Sequence, residues 1–394
     1  MTVQDTSPTL PKQLVELAHA LGGPLFQFWS RKNASGDSYR LARRRILVAV
    51  LLAWLPLLVL STAEGHAWGD RVSLTFLQDI EMHVRLVLAV PLLIAAERFV
   101  HRQLPPVVAN FLERDLIPDS ARPRFDAAIA AAIRLRNSVS AEILLILVVY
   151  GVGVLFFWKT QSAIAGDTWS GMAEKGELHP SLAGWWAICV SMPLFQFLLL
   201  RWYFRLFVWA RFLWQVSRIK LRLVPMHPDG AAGLEFLTLV TRAYAPVLLS
   251  QGAVLAGLMT NRIFYAGANL LDFKVELFGT VALMVFAILG PQLAFTPQLM
   301  AARRKGIEDY GALAERYARD FDRKWLRGGQ GQYTLPPSIE LYRSFDSAAR
   351  ARWVPFTWAH VVHLAAITLL PVTPLVLTAF SAEEVVERVI GALF

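Results

Sequence analysis

Residues 43–61 read RRRILVAVLLAWLPLLVLS: three arginines, then a run from Ile46 to Leu60 without a charged side chain. A bilayer core of about 30 Å is crossed by roughly 20 mostly apolar residues wound as a helix. The run has the composition of a membrane span and the arginines mark its flank. The same alternation of basic segment and apolar run recurs along the whole chain.

Seven stretches qualify as spans, at about 46–61, 80–100, 141–158, 183–204, 234–260, 276–299 and 356–380. The chain is 55% apolar with 13 Trp, against roughly 45–50% in soluble domains. These features predict an all-α, polytopic membrane protein with about seven transmembrane helices. The weakest span is the second, because Arg85 and Glu97 bracket a clean run of only Leu86 to Ala96.

Charge gives the expected orientation. Segments 1–45, 98–140, 201–233 and 301–355 hold 7, 7, 6 and 11 of the 39 Lys and Arg, whereas 61–83, 159–182, 261–275 and 381–394 hold 1, 2, 2 and 1. Lys and Arg concentrate in cytoplasmic loops. Seven crossings then place the N-terminus in the cytoplasm and the C-terminus outside. Without the second crossing, seven basic residues would lie on the opposite side. The net charge of +9 therefore belongs to the cytoplasmic membrane face, and no nucleic-acid-binding module is recognisable. Residues 1–33 are mixed and polar, so the first helix is expected to remain as an anchor. The single cysteine, Cys189, excludes an intramolecular disulfide and a multi-cysteine metal site.

Four regions follow: a cytoplasmic tail with an interfacial helix at 1–45, six membrane helices with cytoplasmic extensions at 46–300, a cytoplasmic amphipathic helix and Gly/Pro-rich linker at 301–355, and a seventh helix with an external interfacial helix at 356–394. Residues 121–158 carry only Pro123 as a breaker and are expected to form one helix of roughly 57 Å at 1.5 Å per residue. The fourth span is expected to continue toward Val224. In residues 306–328, GIEDYGALAERYARDFDRKWLRG, Ile307, Tyr310, Ala314, Tyr317, Phe321 and Trp325 recur at helical spacing. These long helices are expected to project into the cytoplasm and pack there.

The segment YGALAERYARDFDRKWLRGG (310–329), with RWVPF (352–356) before the last span, resembles a family of uncharacterised bacterial multi-span membrane proteins. That resemblance implies a bacterial inner-membrane setting and carries no activity. His227-Pro228-Asp229 is superficially similar to the signature of Hsp70 co-chaperone J-domains, but an apolar span follows it at once where those domains have a polar helix.

Several polar residues are candidates for function. Arg242 would lie eight residues inside the fifth span, about 12 Å of helix rise from its start, where an arginine must be paired or hydrated. Arg201 and Arg205 of the fourth helix, with Arg211, Arg218 and Arg222, share an arc of about 140° and could line an anion-attracting vestibule or serve as a headgroup girdle. The fifth span contains Ser250-Gln251-Gly252, the sixth Pro291-Gln292 and Pro297-Gln298, and the seventh Pro371 and Pro374, which are expected to interrupt their helices. Gln251, Gln292, Gln298, Arg242, Arg201 and Arg205 thus form the candidate solute or ion pathway. A candidate metal site joins His227 and Asp229 to His360 and His363, with Glu97 and His101 on the same face of the membrane. The plainer alternative is preferred for HPDG: a type I turn with Pro228 and Gly230 in their favoured positions and Asp229 capping the fifth helix. No phosphate loop, GxSxG or HExxH motif occurs.

Three functions fit these features: an oligomeric channel or transporter for a small anionic solute or ion, a membrane-embedded metal- or haem-dependent enzyme, and a scaffold or sensor that binds a cytoplasmic protein partner. The expected surroundings are the lipid bilayer and further copies of the chain as a homo-oligomer.

Overall fold

A computed structural model describes residues 38–153, 167–174, 177–323 and 345–379. Helix α1 is Ser38–Ala63. Helix α2 runs on through three segments, Ile80–His83, Val84–Ala89 and Val90–Glu113, the middle one wound as a π-helix. Next come α3 (Arg122–Arg136) and α4 (Val139–Val148). A two-stranded antiparallel hairpin, β1 (Gly171–Glu174) and β2 (Glu177–Pro180), precedes α5 (Leu182–Ser217). Then follow α6 (Ala245–Ala266), α7 (Lys274–Leu289), α8 (Thr296–Phe321), α9 (Trp358–Leu369) and α10 (Thr373–Ala379).

Five helical stretches are long and apolar enough to cross a membrane: Ala42–Ala63, Leu182–Ser217, Ala245–Ala266, Leu270–Asp320 and Trp358–Val376. A sixth arises if the bent pair Asp119–Arg136 and Val139–Gly153 counts as one span. The expected total of seven is therefore not reached by length and composition. The shortfall is α2, which carries Glu81, Arg85, Glu97, Arg98 and Arg102. Large apolar side chains stand exposed on α1 (Leu51, Val59), α4 (Leu144, Leu147) and α7 (Val275, Phe278), a disposition suited to lipid contact.

Helices α2 and α6 form the centre. Leu86, Ala89, Val90, Leu93 and Ala96 of α2 are fully buried, and α6 packs along α2 on one side and α9 on the other. Two glycines allow this approach. A Cβ on Gly252 would lie 1.8 Å from the Thr368 carbonyl oxygen of α9, and one on Gly257 would lie 3.1 Å from the Glu81 Cα of α2. Close backbone contact at small residues is a common means of joining helices where lipid removes the hydrophobic drive. Side-chain ties supplement it: Trp202 Nε1 donates to the Leu93 carbonyl (2.9 Å), and Ser191 Oγ to the Ala53 carbonyl (2.6 Å).

At the hairpin end, Asp79 organises the start of α2. Its carboxylate accepts from the Met82 backbone N–H (3.0 Å), Asn261 Nδ2 of α6 (2.8 Å) and Trp169 Nε1 (2.9 Å). One buried side chain thereby caps α2, holds α6 and anchors the segment before β1.

Four expectations about helix limits need correction. The helix expected over 121–158 breaks at Asn137, whose φ of −96° and ψ of 11° end α3, and Ser138 Oγ accepts the Ala141 N–H to cap α4; the two halves meet at 46°. The fourth helix ends at Ser217 instead of nearing Val224, because Gln298 Nε2 takes the Ser217 and Ile219 carbonyls while its Oε1 accepts the Leu221 N–H. Helix α6 starts at Ala245, well after residue 234, and continues unbroken through Ser250-Gln251-Gly252. The interruptions expected at Pro291 and Pro371 do occur, as 3-10 turns at Gly290–Phe295 and Leu370–Val372, whereas Pro297 and Pro374 stand in the first turns of α8 and α10 and make no second break. The interfacial helices expected near both ends, Trp325 and most of the Gly/Pro-rich linker fall outside the described residues.

Candidate functional site

Arg201 and Arg205 are successive on one face of α5, roughly 29 and 35 Å of helix rise from Leu182. Glu97 lies about 26 Å along α2 from Ile80. Both helices start at the hairpin end, so the three residues meet near the opposite, basic end of the bundle. The Glu97 carboxylate receives Arg205 Nη2 at 3.0 Å and Arg201 Nη1 at 3.4 Å. Arg205 also lies over the Trp202 ring, 4.7 Å from its centroid.

Two further guanidinium groups come within electrostatic reach: Arg45 of α1, near Glu97 and Arg201, and Arg136 of α3, near Arg201 and Arg205. A second carboxylate, the buried Glu142 of α4, lies near Arg201. Four guanidinium groups thus gather around two carboxylates. Arg136 lies in the last turn of α3, which packs along α5. Its Nε and Nη2 are buried and have no hydrogen-bond partner, and Arg201 Nη2 is in the same condition. An unpaired buried donor costs about 1–3 kcal/mol, more when charged.

Of these groups Glu97, Arg136 and Arg205 border a cleft of ≈ 90 Å³, room for several waters or a small anion at 10–15 Å³ per water. Glu97, His101, Arg136 and Arg205 contribute its polar wall. Trp209 and the fully buried Tyr244 also line it, and Trp209 Nε1 is a further buried donor without a partner. Chemically the cleft offers donors and excess positive charge to an acceptor-rich anion.

The other candidates separate. Arg242 is exposed, in the single turn Val240–Ala243 before α6 begins at Ala245. It stands at the mouth of that helix and within electrostatic reach of His360, instead of eight residues inside a span. Gln251 accepts from Tyr203 Oη at 3.2 Å, and its Nε2 is buried without a partner. Gln292 is fully buried, with Nε2 on the Leu237 carbonyl (3.4 Å) and Oε1 unpartnered. Neither glutamine lines the arginine cleft. Gln298 is occupied in closing the end of α5, as described above. Of the remaining arginines on the expected arc, Arg218 lies over Trp214 and Arg222 pairs with Asp115 at 2.7 Å.

The HPDG turn forms as read, with the Gly230 N–H donating to the His227 carbonyl at 3.0 Å. Asp229 caps its own loop and not α6. Its Oδ1 accepts the Ala231 (2.8 Å) and Gly233 (3.1 Å) N–H groups, and Oδ2 accepts Glu235 N–H (3.2 Å) at the start of a 3-10 turn. Gly230, Ala232 and Gly233 have positive φ (64°, 52°, 98°), so the carboxylate holds a backbone that curls around it. Burial alone would raise the Asp229 pKa. The three N–H donors, with His227 beside them, outweigh it and hold the carboxyl below its ordinary value. The four expected metal ligands are otherwise engaged or apart: His227 Nδ1 lies 2.9 Å from Asp229 Oδ1, His360 Nδ1 bonds Thr357 at the start of its own helix, and His363 is exposed. Among the described residues, no three His, Cys, Asp or Glu side chains are grouped to hold a metal ion.

Glu97, His101, Arg201 and Arg205 could be singled out from sequence by charge in or beside apolar runs. Arg45, Arg136 and Glu142 could not, because each falls among ordinary flanking charges, and only the Asn137-Ser138 pair hinted at the bend. Comparison with protein-family models, curated proteins and solved structures finds no match to this chain.

Proposed function

We propose that this protein is a polytopic inner-membrane protein of seven crossings that binds an anion in the arginine cleft from the cytoplasmic side, the binding step of an oligomeric anion channel or transporter. The observation that carries this reading is Arg136, whose Nε and Nη2 face no acceptor while Arg201 and Arg205 share one carboxylate. Positive charge held at low dielectric without a counter-ion is costly, and a bound anion removes that cost. The cytoplasmic assignment rests on the Lys and Arg alternation along the chain. With α2 as the crossing that composition does not reveal, the basic end of the bundle faces the cytoplasm. Arg242 and the three glutamines become secondary elements of a pathway, since the cleft does not include them.

The test is direct. Purified protein in lipid nanodiscs is titrated with inorganic phosphate and sulfate by calorimetry, and the same anions are followed across proteoliposomes. Saturable binding that weakens at least tenfold in Arg136→Gln supports the site. Undetectable binding of both anions at millimolar concentration overturns it, whereas binding without flux leaves an anion-binding protein and removes the transport step.

A further inference from the structure

The cleft is polar only at one end. Along α2 the lining residues run from Glu97 and His101 to Leu104 and Val108, roughly 16 Å of rise from Glu97 to Val108. Along α5 they run from Arg205 to Phe212, about 10 Å. Helix α3 runs the other way and brings Arg136 to the polar end and Ile129 to the apolar one. The two directions agree. At the far end Phe212 lines the cleft and Phe125 packs against it, with ring centroids 6.1 Å apart. An inorganic anion would use the arginines and leave the apolar length filled with water that has few partners.

We infer that the ligand of the cleft is an amphiphilic organic anion, an alkyl or aryl phosphate or carboxylate, with its charged group at Arg136 and Arg205 and its apolar body against Val108, Ile129 and Phe212. This rests on the anion-binding reading and names the ligand class within it. The polarity also bears on the source. The charged end lies toward the middle of the proposed bilayer and the apolar end toward the cytoplasm, which is the reverse of a phospholipid in the adjoining leaflet. A water-soluble anion arriving from the cytoplasm, charged group first, has the matching direction. Trp209 Nε1, buried and without a partner between the two ends, offers one donor to an ester or carbonyl oxygen next to the charged group.

The experiment is a chain-length series on the full-length protein in zwitterionic nanodiscs: inorganic, ethyl, butyl and hexyl phosphate, all soluble, measured by calorimetry. Burial of a methylene is worth about three- to fourfold in affinity. The expected result is affinity that climbs by about that factor per added carbon until the apolar end is full, and that falls together for all members in Arg136→Gln. In Ala132→Phe, which places a ring in the apolar length, the climb should vanish while inorganic phosphate still binds. That retained binding also reports a folded protein. Equal affinity for inorganic and hexyl phosphate in the wild type overturns the inference and leaves the anion site standing. No binding of any member overturns both. A climb of the same height in Arg136→Gln means partition into an apolar space without recognition of the head, which also overturns it. If nanodiscs containing phosphatidylglycerol displace hexyl phosphate, the occupant is a bilayer lipid and the soluble source is refuted.

Discussion

Replacing Glu97 with Gln tests the charge balance on which the arginine cluster rests. The carboxylate holds Arg205 at 3.0 Å and Arg201 at 3.4 Å, and the three side chains are 17%, 13% and 13% exposed in the order Glu97, Arg201, Arg205. At an effective dielectric constant near 20, each contact has a Coulomb energy of about 5 kcal/mol. Desolvation of the three groups cancels much of the total. Removing one partner of a buried pair costs about 3–5 kcal/mol, because the charge left behind stays desolvated. Glutamine preserves the shape and one acceptor oxygen, so the expected loss lies near the lower figure, about 3 kcal/mol.

The assay is equilibrium unfolding in detergent micelles, followed by circular dichroism, for wild type, Glu97→Gln, Arg205→Gln and the double variant. If the pair is coupled, the double variant loses less than the two single losses combined, since removing Arg205 takes away part of the charge that Glu97→Gln exposes. Added sulfate should recover more stability in Glu97→Gln than in the wild type, as a ligand that binds only the folded state does. A loss below about 1 kcal/mol, the range of a solvent-exposed pair, or strict additivity in the cycle would refute the buried-cluster reasoning.

Three further outcomes follow from the geometry. Gly252→Ala puts a methyl 1.8 Å from the Thr368 carbonyl oxygen, where ordinary contact begins at 3.4 Å, so α6 and α9 must part and unfolding should come at least about 3 kcal/mol sooner; unchanged thermal stability would disprove that contact. Asp79→Ala strips acceptors from Met82 N–H, Asn261 and the buried Trp169 indole, with an expected loss of about 3 kcal/mol and a red-shifted tryptophan emission, and an unshifted spectrum would count against the hub. Asp229 has a carboxyl held below its ordinary value of 3.8, so its stabilisation is complete above that pH and disappears as pH falls through the folded-state value. The stability gap between wild type and Asp229→Asn should therefore be present at pH 5 and close as pH falls below 3.8; a gap that widens below pH 5 would reverse the sign assigned here.

How far the sequence reveals this molecule differs between elements. Long apolar runs are reliable because lipid demands them, and α1, α5 and the kinked pairs α7–α8 and α9–α10 start close to the runs that announce them, whereas α6 starts late, at Ala245. Proline breaks at Pro291 and Pro371 are equally legible, since proline removes a donor wherever it stands. Ser250-Gln251-Gly252 misleads because the glycine there serves contact with α9 and not a break. The arginine cluster needs five helices to assemble it, so no local pattern carries it. Arg136 reads as one more flanking charge until α3 is seen packed along α5. Asp229 is a related case: the turn residues announce the turn, but which N–H groups its carboxylate receives depends on three left-handed residues downstream, one of them Ala232.

Helix α2 shows most clearly why a span can escape composition. A hydropathy criterion treats every side chain as if it met lipid, yet one face of the middle of α2, Leu86, Ala89, Val90, Leu93 and Ala96, is buried in protein, and its charges sit near the two ends of that stretch. Arg85 pairs with Glu81 one turn earlier, and Glu97 pairs with Arg201 and Arg205. Between Arg85 and Glu97 lie only the apolar residues Leu86 to Ala96. A charge that is paired and faces the bundle interior carries far less of the cost that excludes charged residues from lipid-facing positions. Helix α2 therefore crosses in the proposed topology. Reporter fusions after Asp70 and after Arg136 are expected to read external and cytoplasmic, respectively. The same side for both would leave the seven basic residues of 98–140 outside, against the distribution of every other basic segment, and would remove both the crossing and the cytoplasmic access of the arginine cleft.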